Sequence, residues 1–143
     1  MPFKRTSKKI AWEQGYRNSE RGFLVCLYGD MFKKKNRKNR KPIDCLITKQ
    51  EFFEQWMLHK ERMGGMFCEY TGLPMTHINN YKKKERINTS SNISVDRLDN
   101  NKPYTIENIV FCRSDFNNRK NQILIEDCRK IIEIYDKRKQ KKI

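Results

Sequence analysis

A chain of 143 residues with 36% apolar and 34% charged side chains forms one compact domain with a modest core, and it excludes a large hidden pocket. Lys and Arg number 32 against 17 Asp and Glu, a net charge of +15, which points to a polyanion partner, a nucleic acid, because neutralising phosphates releases condensed counterions. A solvated basic surface with no partner is the alternative reading of the same charge. No apolar run approaches the ~20 residues needed to cross a bilayer, and Met1-Pro2-Phe3-Lys4-Arg5 lacks the apolar core of a secretory signal.

In chain order, Phe23, Cys26, Leu27 and Phe32 give an imperfect amphipathic stripe that predicts a helix from about Ser19, weakened by Gly22 and Gly29. Lys33, Lys34, Lys35, Arg37, Lys38, Arg40 and Lys41 follow, interrupted only by asparagines and closed by Pro42. Such a run is expected to stay out of the core and to remain mobile through self-repulsion. It reads either as a solvated loop or as an arm that lies along phosphates.

Thr48-Lys49-Gln50-Glu51 is a capping box. The helix it opens carries Phe52, Phe53, Trp56, Met57 and Met63 as a core stripe and ends at Gly64-Gly65. Met66–Cys68 and Leu73–Met75 read as a small hairpin around Glu69-Tyr70-Thr71-Gly72. A second basic loop, Lys82, Lys83 and Lys84, precedes a Ser/Asn-rich turn. Ile93–Val95 alternate as a strand ending on Asp96, a long Asn/Pro turn follows, and Asn108-Ile109-Val110-Phe111-Cys112 is a second strand. Ser114 and Asp115 are expected to cap a helix bearing Asn117 and Lys120. Cys128, Ile131, Ile132 and Tyr135 mark a last amphipathic helix from about Glu126, with a frayed basic tail from Lys137.

Asp96 on the first strand and Asn117 on the helix are hard oxygen ligands, and such a pair suits Mg²⁺ or Mn²⁺, with water and phosphate in the remaining positions. The run Val-Asp-Arg-Leu-Asp-Asn-Asn-Lys from Val95, then Tyr-Thr-x-Glu-Asn-Ile from Tyr104, then Asn117 nine residues after Asn108, resembles the ββα-metal core of the HNH (His-Me finger) endonucleases. It is most similar to the phage and homing-type branch, over about Phe67 to Lys120. The resemblance implies an α+β fold: a small ββα-metal core in residues 66–143, flanked by helices at both ends. Residues 1–65 read as a helical, basic region that would supply a DNA-binding arm and a helix that backs the core. It further implies that Asp96 and Asn117 hold the metal, that Asn108 pins the long turn, and that the protein hydrolyses or nicks DNA.

One departure bears on mechanism. The residue after the first-strand Asp, often the histidine that activates water in this family, is Arg97, which stays protonated and cannot be a general base. Arg97 is expected to clamp a phosphate. His77, just after the hairpin, and Asp99, just beyond Asp96, are the candidate bases; Asp99 reads equally as a second metal ligand, with a backbone-bonding turn residue as its structural alternative. His59 is expected to face solvent or core. Lys120, one turn beyond Asn117, is expected to contact the DNA backbone. The same change at position 97 suits a non-catalytic nucleic-acid-binding module that keeps the fold, which is the alternative function.

The five cysteines are scattered and none forms Cys-x-x-Cys, which fits a reduced, intracellular, cytoplasmic protein. HNH domains often hold a structural zinc with two such pairs. Here only Cys68 and Cys112 stand at those places, half a tetrahedral site, so they are expected to be small core residues without zinc.

Overall fold

The computed structural model describes residues 6–79 and 87–141, so the predicted loop at Lys82, Lys83 and Lys84 lies outside the described residues. The fold is a mixed helix-and-strand arrangement of α1 (Ser7–Asn18), α2 (Glu20–Lys33), α3 (Lys49–Met63), β1 (Ile93–Arg97), β2 (Ile109–Arg113), α4 (Ser114–Lys120) and α5 (Ile125–Gln140). No described helix is long and apolar enough to cross a membrane.

α2 starts where expected, and the N-terminal region is helical as expected, but the bounds of α1 are not legible in the sequence, because it buries no residue and so carries no stripe. Ser19 joins the two helices. Its N–H donates to the carbonyls of Gly15 and Tyr16, and its hydroxyl oxygen accepts from the Gly22 N–H at 3.1 Å. Gly22 is required by this corner, since a Cβ there would lie 1.9 Å from the Tyr16 carbonyl oxygen.

Thr48 and Glu51 form the capping box with reciprocal bonds of 3.1 and 3.0 Å, and Gly64 ends α3 in the left-handed region at φ 79°. The buried stripe of α3 is Phe52, Trp56 and His59, one residue per turn on one face. Met57, expected in that stripe, is instead 60% exposed, because α3 is covered on one side only. Phe111 of β2 enters this face, with its ring 5.5 Å from Phe52, 5.0 Å from Trp56 and 5.4 Å from His59. The Trp56 indole N–H donates to Glu20 at 2.8 Å, so the anchor of the core also ties α3 to α2.

β1 and β2 pair antiparallel, with Ile93 opposite Arg113 and Arg97 opposite Ile109. Opposed residues share a face. Val95 and Phe111 therefore turn to the helices, and Ser94, Asp96, Val110 and Cys112 turn to the other side. Phe111, Val110 and Cys112 are all buried, so both faces of this short sheet are covered and β2 reads as an unbroken apolar run. The hairpin stands behind it, closed by Cys68 N–H to the Leu73 carbonyl and Met75 N–H to the Met66 carbonyl, and tied to β2 through Glu69 N–H and the Phe111 carbonyl.

Arg113 occupies the cap position of α4, and the N–H groups of Ser114 and Asp115 donate to the carbonyls of Asn92 and Ser90. The Asp115 carboxylate accepts the next N–H, of Phe116, at 2.7 Å, so it serves the first turn as expected, whereas Ser114 makes no capping bond. The residues just before β1 and the Asp115 side chain thus share the cap. α5 runs on to Gln140 rather than fraying from Lys137. Its first turn is acidic and its last basic, the distribution that favours the helix dipole.

Candidate functional site

The turn between the strands is organised by one side chain. Asn108, 5% exposed, accepts the Asp99 N–H on Oδ1 at 2.8 Å and donates Nδ2 to the carbonyls of Asp99, Lys102 and Pro103 at 3.1, 3.3 and 2.9 Å. This is the pinning geometry expected of it. Asp99 has the turn role: its carboxylate accepts from the Asn101 N–H at 2.9 Å.

Arg97 is spent on the same turn, donating Nη1 to the carbonyls of Asn100 and Lys102 at 2.9 and 3.0 Å. Its guanidinium stands 5.7 Å from the Tyr104 ring centre. Tyr104 in turn receives the chain that follows the basic run. The Leu46 N–H donates to the Tyr104 carbonyl, and the Tyr104 N–H to the Asp44 carbonyl. The Ile43 N–H closes back on the Lys34 carbonyl, and the Lys34 ammonium donates to the Tyr104 hydroxyl at 2.7 Å.

The basic run is therefore a loop held at both ends, not a free arm. Its first residues continue α2 as a 3₁₀ turn, Lys34–Asn36. The self-repulsion expected to keep it mobile is outweighed by these backbone bonds.

That anchoring forms a cleft of about 320 Å³ in which Lys34, Arg37, Arg40 and Arg97 meet Asp96 and Asn117. Four cations face one carboxylate there. A second cleft shares Arg37 and Arg97 and adds Lys41 and Lys102, so the positive surface continues along the turn. Lys33, Lys35 and Lys38 line neither cleft and are exposed, and the Lys35 ammonium sits 3.7 Å from the Phe32 ring centre.

Asp96 is 4% exposed, and its Oδ2 accepts from the Tyr70 hydroxyl at 2.7 Å and the Lys120 ammonium at 2.9 Å. Lys120, expected to reach outward to a phosphate, is turned inward: it also donates to the Arg97 and Leu98 carbonyls at 3.2 and 3.4 Å. A buried carboxylate needs a compensating charge, and the ammonium one helical turn past Asn117 supplies it. Burial, followed by the Asp96 carboxylate it bonds, pushes the Tyr70 phenol far above its ordinary pKa, so it remains a donor.

Asn117 donates Nδ2 to the Ser94 hydroxyl at 2.8 Å, which fixes its amide plane against β1. Its carbonyl oxygen is buried and has no hydrogen-bond partner. Buried acceptors are normally satisfied, so this oxygen, in the cleft that also holds Asp96, fits a ligand of a hard cation. Asp96 is the one carboxylate among the residues that line this cleft, so it is the charged ligand the cleft offers such an ion. Cys68 and Cys112 are both fully buried, with the Cys68 sulfur accepting from the Arg113 N–H at 3.3 Å. Burial, then the nearby Asp96 charge, raises the Cys112 thiol well above its usual pKa.

The two histidines lie elsewhere. His77 is bound through Nδ1 to the Asn18 carbonyl at 2.6 Å, beside Phe23, and is absent from the lining of the Asp96 cleft. The Thr76–Asn92 bridge next to it sits four residues before Asp96, about 13 Å along the strand direction. His59 is a core residue, stacked on Trp56 with Nε2 2.7 Å from the Phe67 carbonyl oxygen. Its Nδ1 lies 3.3 Å from a Glu69 oxygen, inside ion-pair range but without hydrogen-bond geometry.

Two residues of the site escape the sequence analysis: Tyr70 and Ser94. Ser94 was legible in principle, two residues before Asp96 and hence on its face of β1. Tyr70 comes from a separate turn, and no spacing announces it; Tyr104 stands in the motif, but with no role assigned to it. Compared with family models, curated proteins and solved structures, the chain has no match.

Proposed function

We propose that this protein is a metal-dependent DNA endonuclease of the HNH type, with β1, the pinned turn, β2 and α4 as its ββα-metal core. The observation that carries the reading is the meeting, in one cleft, of the Asp96 carboxylate and the unpartnered Asn117 carbonyl oxygen with Lys34, Arg37, Arg40 and Arg97. Hydrolysis of a phosphodiester needs charge neutralised around the phosphate and the leaving oxygen, and a bound Mg²⁺ or Mn²⁺ supplies that neutralisation. Asp96 and Asn117 are the residues that would hold it.

The chain's own groups divide the remaining work. Lys34, Arg37 and Arg40 bind the backbone of the strand, with guanidinium groups matched to phosphate oxygens. Tyr70 orients the Asp96 carboxylate through its short hydrogen bond. Arg97 holds the Asn100–Lys102 turn at the rim of the cleft. Ser94 holds the Asn117 amide by its nitrogen, which leaves the oxygen free to face a cation.

The second reading is a nucleic-acid-binding module without catalysis. It is favoured by one specific fact: among the described residues lining the cleft, none is a free general base, since Arg97 is a permanent cation and Asp96 is bound by Tyr70 and Lys120. Incubation with supercoiled plasmid, with and without Mg²⁺ or Mn²⁺, separates the two. The endonuclease reading expects nicked or linear product that requires the metal, and expects Asp96→Ala and Asn117→Ala each to abolish it while DNA binding persists. Uncut plasmid under every metal, with binding intact, would establish the module instead.

A further inference from the structure

α5 is a helix of 16 residues that buries none of them in its own chain. Ile131, Ile132, Ile134 and Tyr135 are 54 to 65% exposed, on a helix about 24 Å long. At 100° per residue, Ile125, Cys128, Ile132 and Tyr135 fall on one seam at alternating spacings of three and four, the pattern by which one helix packs against another. The apolar surface involved is on the order of 500 Å², at the top of what a monomer ordinarily exposes.

The charges beside the seam identify the occupant. Arg129 and Asp136 border it on one flank, and Ile131 and Arg138 on the other. A second α5 laid antiparallel about a twofold axis near Ile132 sets Arg129 of each copy against Asp136 of the other. The same register packs Ile132 on its symmetry mate and Cys128 against Tyr135 of the other copy. A parallel pair would instead set two acidic first turns, and two basic last turns, side by side. Glu133 and Lys137 pair with each other at 2.8 Å on the opposite side of the helix and take no part.

We propose that α5 is a homodimerisation element that pairs antiparallel with α5 of a second copy. Two such faces bury roughly 1,000 Å² in total, at the threshold of a specific interface. The dimer is therefore expected to be of micromolar strength.

The test is sedimentation equilibrium of the full chain from about 1 to 100 μM. The mass should rise from that of the 17.4 kDa chain toward twice that value. Ile132→Glu should weaken association by about 100-fold or more, as expected for a charge at the centre of an interface, with the thermal melt of the fold retained because α5 buries nothing in its own chain. Asp136→Arg should weaken the dimer, and Arg129→Asp together with Asp136→Arg should restore it.

Orientation is read by disulfide trapping. In a Cys128→Ser background, Ile132→Cys should cross-link on oxidation. Native Cys128, about 12 Å from its mate along the antiparallel pair, should not. A chain that stays monomeric at 100 μM overturns the proposal, and so does ready cross-linking through Cys128. If Ile132→Glu alters only binding to DNA or to lipid vesicles, the face belongs to that occupant and the proposal is likewise overturned.

Discussion

Asn108 is the residue on which the turn depends, and Asn108→Ala measures how much. Its amide makes four contacts, one accepted and three donated. The NH₂ group has two protons for three carbonyls, so the contacts amount to about three full hydrogen bonds. At a net of about 1 kcal/mol each, their loss costs about 3 kcal/mol. For a chain of this size that is a fall of roughly 10 °C in melting temperature. Asn108→Asp is the sharper variant. It is isosteric and keeps the acceptor for the Asp99 N–H, yet it turns a donor group into a carboxylate facing three carbonyl oxygens. It should therefore melt at least as low as the alanine variant, and thermal unfolding followed by circular dichroism reads both. A drop of less than about 2 °C for Asn108→Ala, or wild-type melting of Asn108→Asp, would refute the claim that these bonds hold the turn.

Lys120→Met removes the counter-charge of the 4% exposed Asp96 and should destabilise the metal-free protein by about 3 kcal/mol, as breaking a buried pair does. Mg²⁺ should then raise the melting temperature of this variant more than that of wild type, and equal metal responses would remove Asp96 from the metal site. Replacing Lys34, Arg37 and Arg40 together with alanine should lower the slope of log affinity for DNA against log salt by about 2 to 3 and leave sequence preference alone. The same triple change at Lys33, Lys35 and Lys38, which line neither cleft, should lower it less. Stability should fall as pH drops from about 5 toward 3, read by melting curves across that range. The sign follows from Glu20, Glu69 and Asp115, whose pKa values are lowered in the fold. For Glu20, burial raises the pKa but bonds from Lys60 and Trp56 outweigh it; Glu69 is lowered chiefly by Arg62, and Asp115 chiefly by Arg113. The unfolded chain binds the extra protons, so stability is present above the ordinary carboxylate range and lost below it. Asp115→Asn should flatten the fall.

Local chemistry made some elements legible and long-range packing hid others. The capping box at Thr48 and Glu51, the left-handed Gly64 and the strand-turn-strand-helix order around Asp96 are written in neighbouring residues, and they stand where the spacing put them. The bounds of α1 were not legible, because a helix that buries nothing leaves no periodic stripe. The cap of α4 was legible only in part: the Asp115 carboxylate takes the Phe116 N–H, but the N–H groups of Ser114 and Asp115 themselves go to carbonyls some 22 to 25 residues earlier. The basic run was misread because charge density alone argues for mobility, whereas the Leu46, Tyr104 and Ile43 backbone bonds that fix it span up to 60 residues.

The same distinction explains which parts of the site hold together. Asp96 and Asn108 act within one strand-turn-strand unit, and their spacing was informative because the unit is local. The bases sought at His77 and Asp99 were inferred from proximity along the chain, and there the packing overrides it: Asp99 is needed by the turn, and His77 by the end of α1. Asn117 combines both cases. Its spacing from Asn108 identified it, but its orientation comes from Ser94, across the gap between β1 and α4. The Ser94 hydroxyl can donate or accept, so either end of the amide can face it. In the observed orientation the nitrogen is used and the oxygen is left without a partner, at a cost of about 1–3 kcal/mol for a buried acceptor. The opposite orientation would leave a donor, which suits a phosphate oxygen rather than a cation. The orientation found beside Asp96 is the one with an oxygen to offer, which is what the proposed metal site requires of Asn117.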